Sequence, residues 1–386
     1  MTSNTLKTAY RNLSLERPGN TDPTLRAWDA ADELLLEQAA AWITTTGGPP
    51  RVLVLDDQFG ALTLGLGQFD TVSLADSASL ANALERNSVA NNLIAAPPLS
   101  WLAPPEGPFD AVVMRIPRQL DYLSWLLRWV NSVLAPDGVV IAGGMIKHLP
   151  DRSAEVFNEL LQTRQVCPAR KKARVVVCGQ GSATLDGWPG QWKGYVMDGY
   201  NRAVEGLPAV FARERLDIGS RLLFPAIGHS AASLPVDARV LDLACGNGVL
   251  GLELLRARPG AAVVFSDVSS QAVASARHNV QELAPDAVAE FHHADGVPAE
   301  VGAFDLILLN PPFHEGGVVG DHIALRLFQQ AAQHLARDGQ LLIVGNRHLG
   351  YHRSLKRYFP VVQQLQADPK FVVFSARHQD SGAGRS

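Results

Sequence analysis

The chain has no apolar run long enough for a transmembrane helix, which excludes a helical membrane protein. It has only three cysteines, Cys167, Cys178 and Cys245, scattered with no metal-binding spacing, and a reducing cytoplasm is the expected compartment. The opening Met1-Thr2-Ser3-Asn4-Thr5 lacks the charged head and apolar stretch of a signal peptide. The formal net charge of −4 rules out a polycation, so any nucleic acid has to be held by local basic patches. No metal is expected: His292-His293 stands alone, and adjacent side chains on a strand point to opposite faces. Apolar residues, by contrast, are abundant: they make up 47% of 386 residues, ample for packed cores in a chain long enough for two domains.

The chain reads as one plan written twice, at a period of roughly 190–200 residues. The strand Arg51-Val52-Leu53-Val54-Leu55 and the turn Asp56-Asp57-Gln58-Phe59-Gly60 answer to Arg239-Val240-Leu241-Asp242-Leu243 and Ala244-Cys245-Gly246-Asn247-Gly248. Further on, Asp76 answers to Asp267, Asn87 to Asn279, Phe109-Asp110 to Phe304-Asp305, and Leu134-Ala135-Pro136-Asp137-Gly138 to Leu335-Ala336-Arg337-Asp338-Gly339. Short β-rich runs alternate with helical patterns, which predicts an α/β protein of two tandem Rossmann-like domains built on parallel sheets. The expected division is 1–185, then 186–378, then a disordered tail 379–386. The copies differ where chemistry belongs. Arg115-Ile116-Pro117-Arg118 replaces Asn310-Pro311-Pro312-Phe313, and Gln58 and Phe59 crowd the turn that Gly246 and Asn247 leave open. The first copy is therefore expected to be a degenerate twin, with Arg115 and Arg118 pointing to a role in holding RNA.

A glycine turn after the first strand of a βαβ unit lies where ligands bind, and its helix aims free amides at them. Gly246, Gly248 and Gly251 formally fit the dinucleotide G-x-G-x-x-G spacing, so a nicotinamide cofactor is one reading. The preceding Asp242 and the compact Ala244-to-Gly248 core favour S-adenosylmethionine instead. Asp267, with Val268 after it, ends the second strand, where a carboxylate accepts ribose hydroxyls or, alternatively, caps a helix. Asp295 ends the third strand and is placed to accept from an adenine amine, or is a solvated turn residue.

Asn310-Pro311-Pro312-Phe313 suits an exocyclic amine, whose lone pair is delocalised into its ring. The Asn310 side-chain carbonyl and the Pro311 main-chain carbonyl each accept one amine hydrogen and aim the nitrogen. Positioning of this kind supplies part of the roughly 7–11 kcal/mol available from orientation. Pro311 and Pro312 stiffen the corner, and Phe313 offers a ring for stacking on the base. Arg170, Lys171, Lys172 and Arg174 form one candidate phosphate-binding patch; Arg347 and Lys356 lie in a second.

Together these residues resemble the bacterial ribosomal RNA guanine-N2 methyltransferases. The resemblance covers nearly the whole chain, including Leu25-Arg26-Ala27-Trp28-Asp29, Asp57-Gln58-Phe59-Gly60-Ala61-Leu62, Lys171-Lys172-Ala173-Arg174, Leu216-Asp217-Ile218-Gly219-Ser220-Arg221, Asn310-Pro311-Pro312-Phe313-His314 and Asn346-Arg347-His348-Leu349. It implies an inactive first and a catalytic second domain of the class I S-adenosylmethionine-dependent methyltransferase fold, with ribosomal RNA as partner. It also implies that Phe211 and Asp217 lie beside the methionine end of the cofactor. The Asp-Gln-Phe-Gly, Lys-Lys-Ala-Arg and Asn-Arg-His-Leu runs look like the large-subunit branch, whose target is guanine 1835 of 23S rRNA. Ala244 stands where that family commonly has glycine, which is tolerable if its φ is negative. The other readings are a 16S rRNA enzyme, a methylase of adenine amines or glutamine amides, and a non-enzymatic RNA-binding or assembly protein with the same fold.

Overall fold

The computed structural model describes residues 5–19, 25–45, 47–312 and 322–379. The chain divides into two compact units between Gln191 and Trp192. The first opens on a hairpin of β1 (Thr5–Lys7) and β2 (Asn12–Ser14) and continues with α1 (Ala30–Ile43), β3 (Arg51–Leu55), α2 (Ala61–Gly65), β4 (Asp70–Leu74) and α3 (Ser79–Ala90). Then follow β5 (Phe109–Arg115), α4 (Leu120–Val133), β6 (Leu134–Met145), α5 (Ser153–Leu160), β7 (Gln162–Val166) and β8 (Ala173–Gly179). The second opens on the hairpin of β9 (Lys193–Val196) and β10 (Ala203–Gly206), then α6 (Ile218–Ser233), β11 (Arg239–Leu243), α7 (Val249–Ala257), β12 (Ala262–Asp267), α8 (Ser270–Leu283) and β13 (Val288–His293). It closes with β14 (Phe304–Leu309), α9 (His322–His334), β15 (Leu335–Asn346), α10 (Tyr351–Leu355), β16 (Val361–Ala367) and β17 (Phe371–Arg377).

The sheets run β4-β3-β5-β6-β8-β7 and β13-β12-β11-β14-β15-β17-β16. Both are mixed, which corrects the expectation of parallel sheets: β8 and β17 run antiparallel to β6 and β15, and each pairs antiparallel with the strand before it. The reason is local. Each unit ends in a hairpin whose returning strand docks on the sheet, so that strand has to run backwards. In the first unit the turn is Lys171-Lys172, both at positive φ (49° and 63°), the conformation that matches a two-residue turn to strand twist. In the second, Asp368 Oδ1 accepts from the Lys370 and Phe371 amides at 2.7 and 2.6 Å.

The central strands are buried on both faces. Val240, Leu306, Leu308, Leu342 and Val344 pack with Leu223 and Ile227 of α6, while Leu241, Leu243, Ile307, Leu309 and Ile343 pack with Leu327 and Phe328 of α9. The duplication extends to individual hydrogen bonds. The Arg51 amide donates to Asp110 at 2.8 Å and the Arg239 amide to Asp305 at 2.9 Å. Asn87 Nδ2 donates to the Phe59 carbonyl at 2.8 Å, and Asn279 Nδ2 to the Asn247 carbonyl at 2.9 Å. The same two asparagines also exchange hydrogen bonds with the backbone of Glu16, just beyond the opening hairpin of the first unit, and of Glu205, within β10 of the second. The register sets Leu55 against Leu74 and Leu243 against Ser266, so Ala75, not Asp76 as the order of residue types suggests, stands where the second unit has Asp267.

Candidate active site

Between β11 and α7 the backbone turns through three positive φ values: Ala244 (58°), Gly246 (55°) and Gly248 (82°). The condition under which alanine is free of strain at 244, a negative φ, is not met; the loop demands the left-handed conformation there, as it does at Asp56 (52°) in the first unit. A left-handed alanine costs roughly 1–2 kcal/mol, part of which glycine gives back through its freer unfolded state. Ala244→Gly is therefore expected to stabilise the protein by about 0.5–1 kcal/mol in urea unfolding; an unchanged or lowered midpoint would show that the loop holds no such strain.

A Cβ on Gly246 would meet nothing within 4 Å, so the loop faces open space at that residue. A Cβ on Gly251 would lie 2.3 Å from the Phe265 ring, so the third glycine serves close packing of α7 on the sheet. Asp267 holds the loop open: its Oδ2 accepts from the Gly246 amide and its Oδ1 from the Ser269 amide, both at 2.9 Å. The cap of α8 is Ser269, not Asp267. Asn247 is buried and donates to the Tyr195 hydroxyl at 3.3 Å. The Val268 carbonyl lies 3.0 Å from His293 Nε2. Arg326 grips Asp295 twice, on its carboxylate at 2.5 Å and its carbonyl at 2.8 Å, so any ligand amine shares that carboxylate with a guanidinium.

Asp242 lies beneath the loop, fully buried, with Oδ2 accepting from the Gly251 amide at 2.9 Å and Oδ1 without a partner among the described residues. Burial pushes its carboxyl up to about 8. The folded state therefore keeps a proton that the unfolded chain releases near 3.8. Stability is expected to fall by about 1.4 kcal/mol per pH unit from this group as pH rises through that window, and to level off above the folded value. Urea unfolding between pH 5 and 8 checks this; the slope should shrink in Asp242→Asn, and an identical slope in the variant would exclude Asp242 as its source.

Asn310 follows β14 and meets the start of α6. Its Nδ2 donates to Asp217 Oδ2 and to Ser220 Oγ, each at 3.0 Å. Asp217 is also the cap of α6, accepting from the Ser220 amide at 3.0 Å. A carboxylate only accepts, so this contact decides which end of the amide faces it. Asn310 Oδ1 is left buried with no partner among the described residues. Asp217, expected only beside a cofactor, is thus joined to the Asn-Pro-Pro corner. Ser220 is a further member of the site, and its signal in the sequence is the Asp-x-x-Ser pattern of a helix cap. Pro311 is buried and Pro312 exposed; Phe313 lies outside the described residues, as does the tail from 380 onward. Phe211 is 67% exposed and makes no part of the corner's hydrogen bonding.

The first unit repeats this corner with different chemistry. Arg115, at the place of Asn310, pairs with Asp29 at 2.9 Å and Asp32 at 2.6 Å, the places of Asp217 and Ser220. Its loop is filled as well: Tyr122 hydrogen-bonds Asp56 and accepts from Trp101 Nε1 at 3.0 Å, and Trp101 packs edge-on against Trp125 and Trp129. The first basic patch is not bare. Arg170 pairs with Glu37 and Lys171 with Glu33, which leaves Lys172 at the turn and Arg174 on β8 outside those ion pairs. In the second patch Arg347 donates to the Asp368 carbonyl at 3.0 Å, and Lys356 is exposed after α10.

A mixed doubly wound sheet with a glycine loop after β11 and an Asn-Pro-Pro corner after β14 defines a methyltransferase fold, and the methyltransferase small domain family matches residues 201–375. The RLMG N-terminal domain family matches residues 3–182. The ribosomal RNA large subunit methyltransferase G of Alcanivorax borkumensis is 41% identical over 387 residues, covering 95% of both chains. That of Pseudomonas entomophila is 40% identical over 373 residues, covering 95% of this chain and 98% of the relative. The chain belongs to the ribosomal RNA large subunit methyltransferase G family. Among solved structures, a T. Thermophilus 16S rRNA N2 G1207 methyltransferase in complex with AdoMet and guanosine aligns at a TM-score of 0.74 and 26% identity, covering 97% of each chain. No helix among the described residues is long and apolar enough to cross a membrane.

Proposed function

We propose that the second unit methylates the exocyclic N2 amine of a guanine in 23S ribosomal RNA, at the position the large-subunit family modifies. The observation that carries this reading is Asn310 Oδ1: a buried acceptor, unpartnered among the described residues, with its amide nitrogen pinned by Asp217 and Ser220. Such an oxygen suits a donor that arrives with the substrate, and an amine hydrogen is one. The open side of Gly246, the carboxylate of Asp267 and the amides at the start of α7 fit S-adenosylmethionine, which supplies the methyl group when bound. Asn310 Oδ1 and the Pro311 carbonyl orient the amine; the amine's proton leaves to solvent, since a positioned nitrogen needs no strong base. A target inside a helix has first to flip out.

The first unit, with its corner held by Arg115 and its loop filled by Tyr122 and Trp101, is the non-catalytic partner and carries RNA. Phosphates compete there with Glu33 and Glu37 for Lys171 and Arg170. These roles fall to the two compact units that divide between Gln191 and Trp192, six residues beyond the boundary expected from the sequence, and the protein works in the cytoplasm with ribosomal RNA. The 16S alternative draws on the aligned structure alone, at 26% identity against about 40% for the large-subunit relatives. Mapping N2-methylguanine by mass spectrometry in rRNA from a strain lacking the gene decides between them. Loss of one methyl from 23S rRNA is expected; loss from 16S rRNA selects the alternative, and unchanged methylation of both overturns the reading.

A further inference from the structure

A second amide oxygen in this unit shares the condition of Asn310 Oδ1. Asn346 Oδ1 is buried with no hydrogen-bond partner among the described residues, and the residue is only 8% exposed. Asn346 closes β15, the parallel neighbour of β14. The register sets Leu308 level with Leu342 and Leu309 level with Ile343. Asn310 is then level with Val344, and Asn346 lies two residues beyond it at the carboxyl edge of the sheet, roughly 7 Å further along. Side chains alternate along strands, so Leu306, Leu308 and Asn310 share a face with Leu342, Val344 and Asn346. That face is the one α6 covers. Asn310 meets Asp217 and Ser220 at the start of α6, while Asn346 pairs across the sheet with Phe371, whose ring is 3.5 Å from a Cβ placed on Gly219 in the same turn of α6. Two unpartnered acceptors thus flank one helix start on one face of the sheet.

We propose that Asn346 Oδ1 accepts the N1–H of the target base and makes the site specific for guanine. The proposal rests on the guanine-N2 reading above. In guanine the two hydrogens of the amine are taken by Asn310 Oδ1 and the Pro311 carbonyl, which leaves N1–H as the remaining donor on that edge, beside the amine. Adenine and 2-aminopurine present a bare lone pair at N1, which faces an amide oxygen without a proton between them. A site built around a hydrogen bond rejects the analogue that lacks it, because its buried polar group is left unpaired.

The test uses the full chain and the shortest 23S rRNA fragment that the wild type methylates at guanine, made with guanine or 2-aminopurine at the target. Both bases carry the N2 amine. Wild type is expected to favour guanine in kcat/KM by on the order of 10- to 100-fold. Asn346→Ala should bring that ratio close to one by losing rate on guanine alone, and Asn346→Asp, which keeps an acceptor oxygen, should preserve the preference. Equal losses on both bases in Asn346→Ala, or a lost preference in Asn346→Asp, would overturn the role of Asn346 and leave the guanine-N2 reading standing. A wild type that places no N2-methyl on any guanine of 23S or 16S rRNA overturns that reading itself, without recourse to a variant.

Discussion

Asn310→Ala is expected to lower methyl transfer on the order of 10²- to 10³-fold while S-adenosylmethionine affinity, read by calorimetry, stays within about twofold. In the proposed site the Asn310 side chain serves the amine and not the cofactor, so its removal is expected to be felt in the chemical step. Asp217 and Ser220 act through it. Ser220→Ala removes one of two acceptors for Asn310 Nδ2 but keeps the Ser220 amide that donates to the Asp217 cap of α6, so the helix start survives. The single variant should lose roughly tenfold in kcat. Combined with Asn310→Ala it should lose nothing more, because an amide that is absent cannot be misoriented. Additive losses in the double variant would place Ser220 on the substrate or the cofactor instead, and full activity of Asn310→Ala would falsify the positioning mechanism.

Arg115→Ala should destabilise the first unit by about 3–5 kcal/mol, measured by urea or thermal unfolding of the full chain. Arg115 is the shared partner of two carboxylates. Burial pushes Asp32 up to about 6 even with the guanidinium beside it. At Asp29 the hydrogen bonds and charge of Arg115 outweigh burial and hold the carboxyl below its ordinary range. Without Arg115 the two carboxylates keep only the Ala31 and Asp29 amides against their burial and their mutual repulsion, and each takes up a proton more readily. The deficit should therefore be largest at neutral pH and shrink as pH falls and the carboxyls are protonated. Arg115→Asn with Asp32→Ser copies the corner of the second unit and should recover much of the loss, since an amide between Asp29 and a hydroxyl leaves one charge instead of two. A deficit below about 1 kcal/mol in Arg115→Ala would mean that solvent, not Arg115, satisfies the pair.

Most of the architecture was legible in the chain because its signals are local. Alternating apolar runs and turns specify strands and helices one at a time, and repetition of the same order at a fixed period betrayed two units. Gly246, Gly248 and Asn310-Pro311-Pro312 were legible for the same reason: each states its own backbone conformation or its own hydrogen-bonding capacity. What failed was whatever depends on a distant partner. The sign of φ at Ala244 follows from how β11, the loop and α7 must join, and alanine does not advertise it. The reversed edge strands follow from which strand of a closing hairpin docks, and the strand sequences are equally compatible with either direction.

The offset of one residue between Asp76 and Asp267 is of this second kind. Similar letters aligned them, but register is set by hydrogen bonds between strands, and it placed Ala75 at the site. So is the pairing of Lys171 and Arg170 with Glu33 and Glu37, residues more than a hundred positions earlier. The class of fold, the duplication and the glycine loop and Asn-Pro-Pro corner that set the second copy apart are written in residue types and short spacings, and so were readable from the chain. Folding adds that Asp217 and Ser220 turn the amide of Asn310, that Arg115 closes the same corner in the first unit, and that Asn346 brings to the face that α6 covers a second oxygen with no partner among the described residues. Each of those is a contact between elements far apart in the chain, and such contacts exist only once the sheet has set which strand ends lie side by side.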